Sequence, residues 1–151
     1  MKVIYSLSAA LLIAGCQTMP AIAGPDFNVA LDRHLAAIQS RDLSEMEATI
    51  TLEPDMVLIF PDGSRLETRQ QFLDFHKQWF ADQTWVMTPE ILRKWEGTDY
   101  SYALLRYSFD PDGDGPLAPS QSYLSLGFRL EEGEWRLVHD QNTRIVEPGP
   151  Q

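Results

Sequence analysis

The chain has 151 residues, enough for one domain with one hydrophobic core. Hydrophobic residues make up 44% of it and aromatic residues 11%, a composition typical of globular rather than disordered proteins. Its formal net charge is −10, and because so acidic a chain repels a phosphate backbone, we expect no nucleic-acid partner.

The amino-terminal segment is predicted to be a secretory signal. After Lys2, residues 3–14 form an apolar run that is too short to span a bilayer. Residues 13–16, Ile-Ala-Gly-Cys, resemble the lipobox of bacterial lipoproteins, in which the cysteine is lipidated after cleavage. We therefore predict a signal peptide over 1–15 and a lipid anchor on Cys16, the only cysteine, which cannot form an internal disulfide.

This anchor determines the predicted location and the domain boundaries. Gln17 after the cysteine is typical of outer-membrane lipoproteins, so we expect the domain in the bacterial cell envelope, facing the periplasm and touching the membrane only through its lipid. The domain is predicted over 25–147, between a tether over 16–24 and a tail over 148–151. A competing A-x-A cleavage site would instead release a soluble periplasmic or secreted protein that begins at Gly24.

Two helices are predicted at the start of the domain. Asp26 can cap a helix that runs to about Arg41, and Asp42 starts a shorter helix over 43–50. The first helix has an apolar stripe at helical spacing that marks its inward face. This stripe consists of Phe27, Leu31, His34, Leu35 and Ile38.

A hairpin and an aromatic helix follow. The strands are predicted over 56–60 and 65–67, and Pro61-Asp62-Gly63 between them is a turn signal. Thr68 and Gln71 form a capping-box pattern for the next helix. The inward face of that helix is heavily aromatic and consists of Phe72, Phe75, His76, Trp79 and Phe80.

Four longer strands complete the domain, so the predicted order is α-α-β-β-α-β-β-β-β. They span about 84–96, 101–110, 120–130 and 135–145. Helices followed by hairpin-linked strands predict an α+β domain with an antiparallel sheet. The sheet must curve around the aromatic helix to bury it, which predicts a cone with an internal pocket.

The last strand is predicted to pass from the core into the lining of this pocket. On strict alternation its inner face holds Trp135, Leu137, His139 and Gln141, and its outer face holds Arg136, Val138, Asp140 and Asn142. We therefore expect His139 and Gln141 in the pocket, and no carboxylate there.

Three stretches resemble the SnoaL-like and ketosteroid isomerase-like branch of the nuclear transport factor 2-like superfamily. They are the pattern His34-x-x-Ala37-x-x-x-x-Asp42, the sequence PDMVLIFPDG over 54–63 and the sequence WRLVHDQNT over 135–143. The resemblance covers nearly the whole predicted domain and implies a curved sheet wrapped around helices into a cone. It also implies a homodimer formed through the convex sheet face, but no single activity, because the superfamily includes isomerases, cyclases, dehydratases and binding modules.

The resemblance does not extend to the catalytic residues of the ketosteroid isomerases. Their oxyanion-binding tyrosine corresponds to His34, and their aspartate base corresponds to Phe60. The strand over 120–130, one of the long strands on which a second acid is expected, contains no Asp or Glu. Because proton abstraction next to a carbonyl needs a base within hydrogen-bond reach, we do not expect that mechanism here.

The predicted pocket is aromatic and contains histidine. The three histidines of the chain fall on inward faces, where their charge could change near neutral pH. Aromatic side chains that line a cone suit a small apolar or aromatic ligand, although for each of them core packing is the favoured interpretation. The residues predicted to bind the ligand are His34, Phe60, His76, Trp79, Tyr107, Leu126, His139 and Gln141.

We expect no cofactor and only a weak metal candidate. The spacing of the histidines matches no local zinc motif. The sequence DPDGDG over 110–115 resembles the opening of an EF-hand calcium loop, but the twelfth position is Gln121 instead of glutamate, and the flanks are strands. Asp110, Asp112 and Asp114 could bind calcium weakly or simply form a solvated acidic loop.

Three functions are compatible with the sequence. The first is an envelope-anchored domain that binds a small molecule without catalysis, which the missing base at Phe60 favours. The second is an isomerase, dehydratase or hydrolase, with His139 as general base and His34 as hydrogen-bond donor to a developing oxyanion. The third is a structural homodimer whose cavity is filled by its own aromatic side chains.

Overall fold

Three helices and a six-stranded sheet make up the computed structural model, which describes residues 24–113 and 115–146. The helices are α1 (Phe27–Ser40), α2 (Leu43–Thr49) and α3 (Arg69–Ala81), and the strands are β1 (Asp55–Ile59), β2 (Arg65–Thr68), β3 (Val86–Trp95), β4 (Tyr100–Asp110), β5 (Ser120–Glu131) and β6 (Glu134–Arg144). The predicted element order and the predicted α+β fold with a curved sheet are confirmed.

The predicted signal peptide, Cys16, most of the tether and the tail over 148–151 lie outside the described residues. In the part that is described, no helix is long and apolar enough to cross a membrane.

Side-chain caps determine where α1 and α3 begin. Asp26 Oδ1 accepts a hydrogen bond from Asn28 N at 2.8 Å, and Thr68 Oγ1 accepts one from Gln71 N at 3.2 Å. Both side chains satisfy amide groups that the first helical turn leaves unpaired. The caps therefore set the start of each helix, and the apolar stripe sets the face that the helix turns to the sheet.

The sheet has the strand order β2-β1-β6-β5-β4-β3 and contains one parallel pair. β1 runs parallel to β6, with Val57 opposite His139, whereas all other neighbouring strands of the described sheet are antiparallel. This pair differs from the predicted antiparallel arrangement. Because α3 and four strands separate β1 from β6 along the chain, the connection is long enough for a parallel pair, which a hairpin could not join.

An extra residue in β6 interrupts its alternation. The pairing with β5 shifts between Gly127 and Phe128, whose partners are His139 and Leu137. Val138 therefore has no partner of its own in this ladder, which is the arrangement of a β-bulge.

The bulge corrects the predicted orientation of the last strand. Asp140 and Asn142, predicted for the outer face, turn to the concave side, and Asp140 is only 5% exposed. His139 and Gln141, predicted for the inner face, lie on the convex side. The prediction from strict alternation is wrong here because one inserted residue moves every later side chain to the opposite face.

The hydrophobic core lies between the concave side of the sheet and the helices. Leu31 of α1 and Phe72 of α3 are fully buried in one cluster with Leu105, Leu126 and Leu137 of the sheet. Burial of each such side chain contributes about 1.5–3 kcal/mol. This packing holds the helices over the concave face and leaves a cavity beside α3.

Candidate functional site

A cavity of about 280 Å³ lies between α3 and the concave side of the sheet. Its volume is near the lower end of the range of small-molecule sites. The lining residues are Ile38, Leu58, Phe60, Pro61, Phe75, His76, Trp79, Met87, Tyr107, Phe109, Ser120, Ser122, Leu124, Asp140, Asn142 and Arg144. Most of these side chains are apolar or aromatic, and the polar ones come mainly from the start of β5 and the end of β6.

The aromatic part of the lining is centred on α3. Phe75 and Trp79 are one helical turn apart, and their rings stack with centroids 5.8 Å apart. Phe60, which follows β1, meets Phe75 edge to face at 4.9 Å. Trp85 supports Trp79 from behind, with the two rings stacked at 4.3 Å. This wall can hold a flat apolar group through buried area and ring contacts.

A hydrogen-bonded chain of three side chains forms much of the polar lining. The Tyr107 hydroxyl donates to Asn142 Oδ1 at 2.9 Å, and Asn142 Nδ2 donates to Asp140 Oδ1 at 2.8 Å. Asn142 Nδ2 also donates to the Ile59 carbonyl at 3.2 Å. Because both ends of its amide are engaged, Asn142 fixes the orientation of Asp140 and Tyr107 at the cavity.

Asp140 is the buried acid of this chain of side chains. Burial raises its pKa from 3.8 to about 7, and the hydrogen bond from Asn142 opposes the rise only in part. Near neutral pH the carboxyl therefore exists in both protonation states. Since Oδ1 accepts the Asn142 amide, Oδ2 is the oxygen that carries the proton in the neutral form. A side chain of this kind can act as general acid or general base.

His76 lines the cavity as a neutral ring. Its Nδ1 lies 2.8 Å from the Phe72 carbonyl, to which it must donate, so Nε2 carries the lone pair. Burial lowers the pKa of His76 to about 4, and the carbonyl offsets this only partly. His76 therefore offers a hydrogen-bond acceptor and adds no positive charge to the cavity at neutral pH.

His34 is fully buried on α1 and lies outside the cavity lining. Its Nδ1 is 2.8 Å from Thr49 Oγ1, and that hydroxyl donates its own proton to the Met46 carbonyl at 2.9 Å. Nδ1 must therefore donate to Thr49, which leaves Nε2 as an acceptor that has no partner among the described residues. Burial first, and repulsion from the protonated form of His76 at low pH second, lower the pKa of His34 to about 3, so the ring is neutral near pH 7. The hypothesis of His34 as an oxyanion donor requires a proton on Nε2, where this geometry puts a lone pair.

The structure brings together half of the residues that the sequence predicts for the ligand site. Those that line the cavity are Phe60, His76, Trp79 and Tyr107, and those that do not are His34, Leu126, His139 and Gln141. Leu126 is fully buried in the core. His139 lies beyond the bulge on the convex side, so the predicted general base does not face the cavity.

Sequence reasoning misses the three charged or amide side chains of β6 in the lining, Asp140, Asn142 and Arg144. Their spacing of two residues is visible in the sequence, but strict alternation puts them on the wrong face. The signal for the reversal is Gly127, because a glycine inside a strand often marks a bulge or a close approach. A β-carbon at this position would collide with the Tyr100 hydroxyl.

Arg144 adds a positive charge at the exposed end of the lining. It lies opposite Ser122 of β5, another lining residue. Within the part of the chain that the structure describes, Arg144 forms no salt bridge with a carboxylate.

The candidate calcium loop uses its described carboxylates to hold its own backbone. Asp110 Oδ1 accepts a hydrogen bond from Asp112 N at 3.2 Å, and Asp112 Oδ2 accepts one from Leu117 N at 3.2 Å. Asp114, the third candidate ligand, lies outside the described residues. The described residues contain no group of three or more His, Cys, Asp or Glu side chains that could hold a metal ion.

Comparison with known families decides the family assignment. Residues 28–143 match the SnoaL-like domain. The chain belongs to the SnoaL-like family. This is the family that the three sequence stretches indicate, and that prediction is confirmed. No curated protein matches the sequence.

Solved structures share this fold at low sequence identity. A protein from Thiobacillus denitrificans, named as a calcium/calmodulin-dependent protein kinase type II association domain, has a TM-score of 0.70 and 19% identity, over 82% of this chain and 98% of that chain. A ketosteroid isomerase-like protein from Erwinia carotovora atroseptica has a TM-score of 0.64 and 18% identity, over 80% and 94% of the two chains. A nuclear transport factor 2-like protein from Cytophaga hutchinsonii has a TM-score of 0.63 and 15% identity, over 78% and 94%. At these identities the matches establish the fold alone.

Proposed function

We propose that this SnoaL-like domain is an enzyme that binds a small, mostly apolar molecule in the cavity and exchanges a proton with it through Asp140. The observation that carries the proposal is a carboxyl group, 5% exposed and held by Asn142, in the lining of a mostly aromatic and aliphatic cavity. The reaction class is isomerisation or dehydration of a carbonyl or hydroxyl compound. In isomerisation a proton leaves one carbon and is returned to another, and in dehydration a proton leaves carbon while the protonated hydroxyl leaves as water, so one acid–base group can serve either reaction.

Asp140 meets the physical requirements of this role. A general acid or base works best when its pKa is near the operating pH, and burial moves the pKa of Asp140 to about 7. Asn142 acts as the orienting group, since it binds the carboxylate at 2.8 Å while Tyr107 and Ile59 hold its own amide in place. The sequence favours a binding domain without catalysis for two reasons, the missing base at Phe60 and the lack of an inward acid, and the position of Asp140 removes the second.

The cavity also limits the size of the substrate. At about 30 Å³ for each water molecule, 280 Å³ corresponds to about nine waters, and hence to a molecule of about ten non-hydrogen atoms. Phe75 and Trp79 offer ring surfaces to its apolar part. The carbonyl or hydroxyl group would lie at the Asp140 side of the cavity, which Tyr107 also lines.

Hydrogen exchange into small ketones tests this proposal. A panel of cyclic and aryl ketones of this size is incubated with the purified protein in D₂O, with binding followed by thermal shift and deuterium next to the carbonyl by NMR. We expect wild type to bind members of the panel and to catalyse exchange. Asp140→Asn should still bind but lose about 100-fold in exchange rate. Asp32→Asn, which removes the same charge from an exposed position on α1, should behave like wild type.

Two other outcomes would contradict the proposal in different ways. Binding without exchange in wild type would return the domain to the small-molecule binding function that the sequence favours. Absence of both binding and exchange across the panel would favour the structural homodimer with a self-filled cavity.

The location and the assembly of the protein are further parts of the proposal. The lipobox ending at Cys16 supports an outer-membrane lipoprotein whose domain faces the periplasm. Three aromatic side chains on and around the convex side support a homodimer through that face, because each is 42–49% exposed: Trp95, Tyr100 and Tyr123.

A further inference from the structure

Arg144 is an unusual feature of the cavity of an acidic protein. The chain carries a formal charge of −10, yet its mostly apolar cavity has an arginine at its exposed end. Apart from Asp140, no other described residue of the lining is charged at neutral pH, since His76 is neutral. The lining therefore carries one acid and one cation.

The charge of Arg144 is not cancelled by a direct salt bridge within the described part of the chain. Asp62 is close enough to sense it, but the pKa of Asp62 is lowered first by hydrogen bonds from the Ser64 hydroxyl and amide, and only in the last place by Arg144. The Ser64 amide and hydroxyl both donate to Asp62 Oδ1, at 2.9 and 2.6 Å. The guanidinium of Arg144 can donate hydrogen bonds to a different anion.

Asp140 and Arg144 lie on the same side of β6 at a defined separation. Both line the cavity, with Asn142 midway between them. At about 3.3 Å per residue, four residues of strand put their Cα atoms about 13 Å apart. A ligand of about ten non-hydrogen atoms can therefore have one end near the acid and the other near the cation.

We propose that the cavity selects apolar molecules that carry a carboxylate, with the carboxylate bound by Arg144 and the opposite end directed at Asp140. This inference rests on the proposed function, because it assigns the substrate class of the same cavity. A guanidinium matches a carboxylate through two parallel hydrogen bonds, which gives both affinity and orientation. Orientation matters here, since it determines which end of the molecule reaches Asp140.

A carboxylate fits this site better than a phosphate does. A phosphate monoester carries close to two negative charges, and the lining supplies one cation to balance them. The remaining charge would sit in an acidic protein and beside the mostly apolar wall that contains Phe60. The hydroxyls of Ser120 and Ser122 can complete the coordination of a single carboxylate.

A matched pair of probes separates charge from shape. Hydrocinnamate and hydrocinnamide have the same size and the same phenyl ring, but only the former is an anion at neutral pH. Each is titrated into the purified protein, and its Kd is measured from backbone amide shifts by NMR, which also identify the residues that respond. Arg144→Gln tests the site, and Arg93→Gln is the control, because it removes the same charge from an exposed position on β3.

We expect wild type and Arg93→Gln to bind hydrocinnamate about tenfold more tightly than hydrocinnamide, as one charge-assisted pair predicts. Arg144→Gln should remove this preference and leave the Kd of hydrocinnamide unchanged. Equal binding of both probes in wild type, or a preference that survives in Arg144→Gln, would overturn the inference and leave the proposed function intact. If neither probe shifts cavity residues, both the inference and the proposed apolar ligand fail.

Discussion

Replacing Asp140 with asparagine should make the folded protein more stable at neutral and higher pH. Burial raises the pKa of this acid from 3.8 to about 7, so the folded chain holds its proton more tightly than the unfolded chain does. Between these two values the folded state binds more protons, and the free energy of unfolding falls as the pH rises. The stability that the protonated acid contributes is complete below about pH 4 and lost by about pH 7.

The size of the effect follows from the same two values. The step from 3.8 to about 7, at about 1.4 kcal/mol per pKa unit, corresponds to about 4 kcal/mol. The side chain introduced by Asp140→Asn has no charge to lose and keeps an oxygen that can accept from the Asn142 amide. The difference in the free energy of unfolding between Asp140→Asn and wild type should therefore grow by about 4 kcal/mol between about pH 4 and about pH 8.

Urea unfolding followed by tryptophan fluorescence at several pH values measures this difference. The comparison with the variant is needed because buried His34 and His76 have lowered pKa values and change stability in the opposite direction with pH. Their contributions are common to both proteins and cancel. Asp32→Asn should follow the wild-type profile, since this side chain is exposed. A difference between Asp140→Asn and wild type that stays constant over the whole range would refute the raised pKa of Asp140.

Three further predictions address a buried hydrogen bond, the convex face and the anchor. Thr49→Val removes the acceptor of the His34 Nδ1 proton and should lower the free energy of unfolding by about 1–3 kcal/mol in urea, whereas an unchanged value would mean that this bond adds no stability. His139→Ala should change the affinity of a cavity ligand by less than about twofold in a titration, and a larger loss would put this histidine back in the site. The intact mass of membrane-extracted protein should include a diacylglyceryl group on Cys16, and a soluble product that begins at Gly24 would contradict the anchor.

The fold is predictable because its signals are local and repeated. Asp26 and Thr68 are capping residues that mark the starts of two helices, and both caps are present. The aromatic stripe of α3 recurs at helical spacing over two turns, so an error at one position would not change the assignment. The order of helices and hairpin-linked strands then leaves few ways to cover one face of a sheet.

The polar lining of the cavity is not predictable in the same way. The Tyr107–Asn142 hydrogen bond joins residues that are 35 positions apart, on strands that are not neighbours in the sheet. Asn142 faces that tyrosine because the bulge at Val138 exchanges the two faces of the later β6 residues. The bulge depends in turn on how β6 pairs with β5. The residue pattern of β6 alone does not reveal that pairing, because residues two apart share a face whether that face is concave or convex.

The bulge at Val138 turns Asp140 to the concave side, where burial of this acid reduces the stability of the domain. Above neutral pH an ionised Asp140 reduces stability by about 4 kcal/mol, a large part of the roughly 5–15 kcal/mol that is typical of a folded domain. A domain with only a structural role would be more stable with asparagine or leucine at this position. Strongly perturbed acids that line a cavity are characteristic of functional sites, where stability is reduced in favour of chemistry. The position of Asp140 in the mostly apolar cavity beside α3 therefore favours proton transfer over a purely structural role.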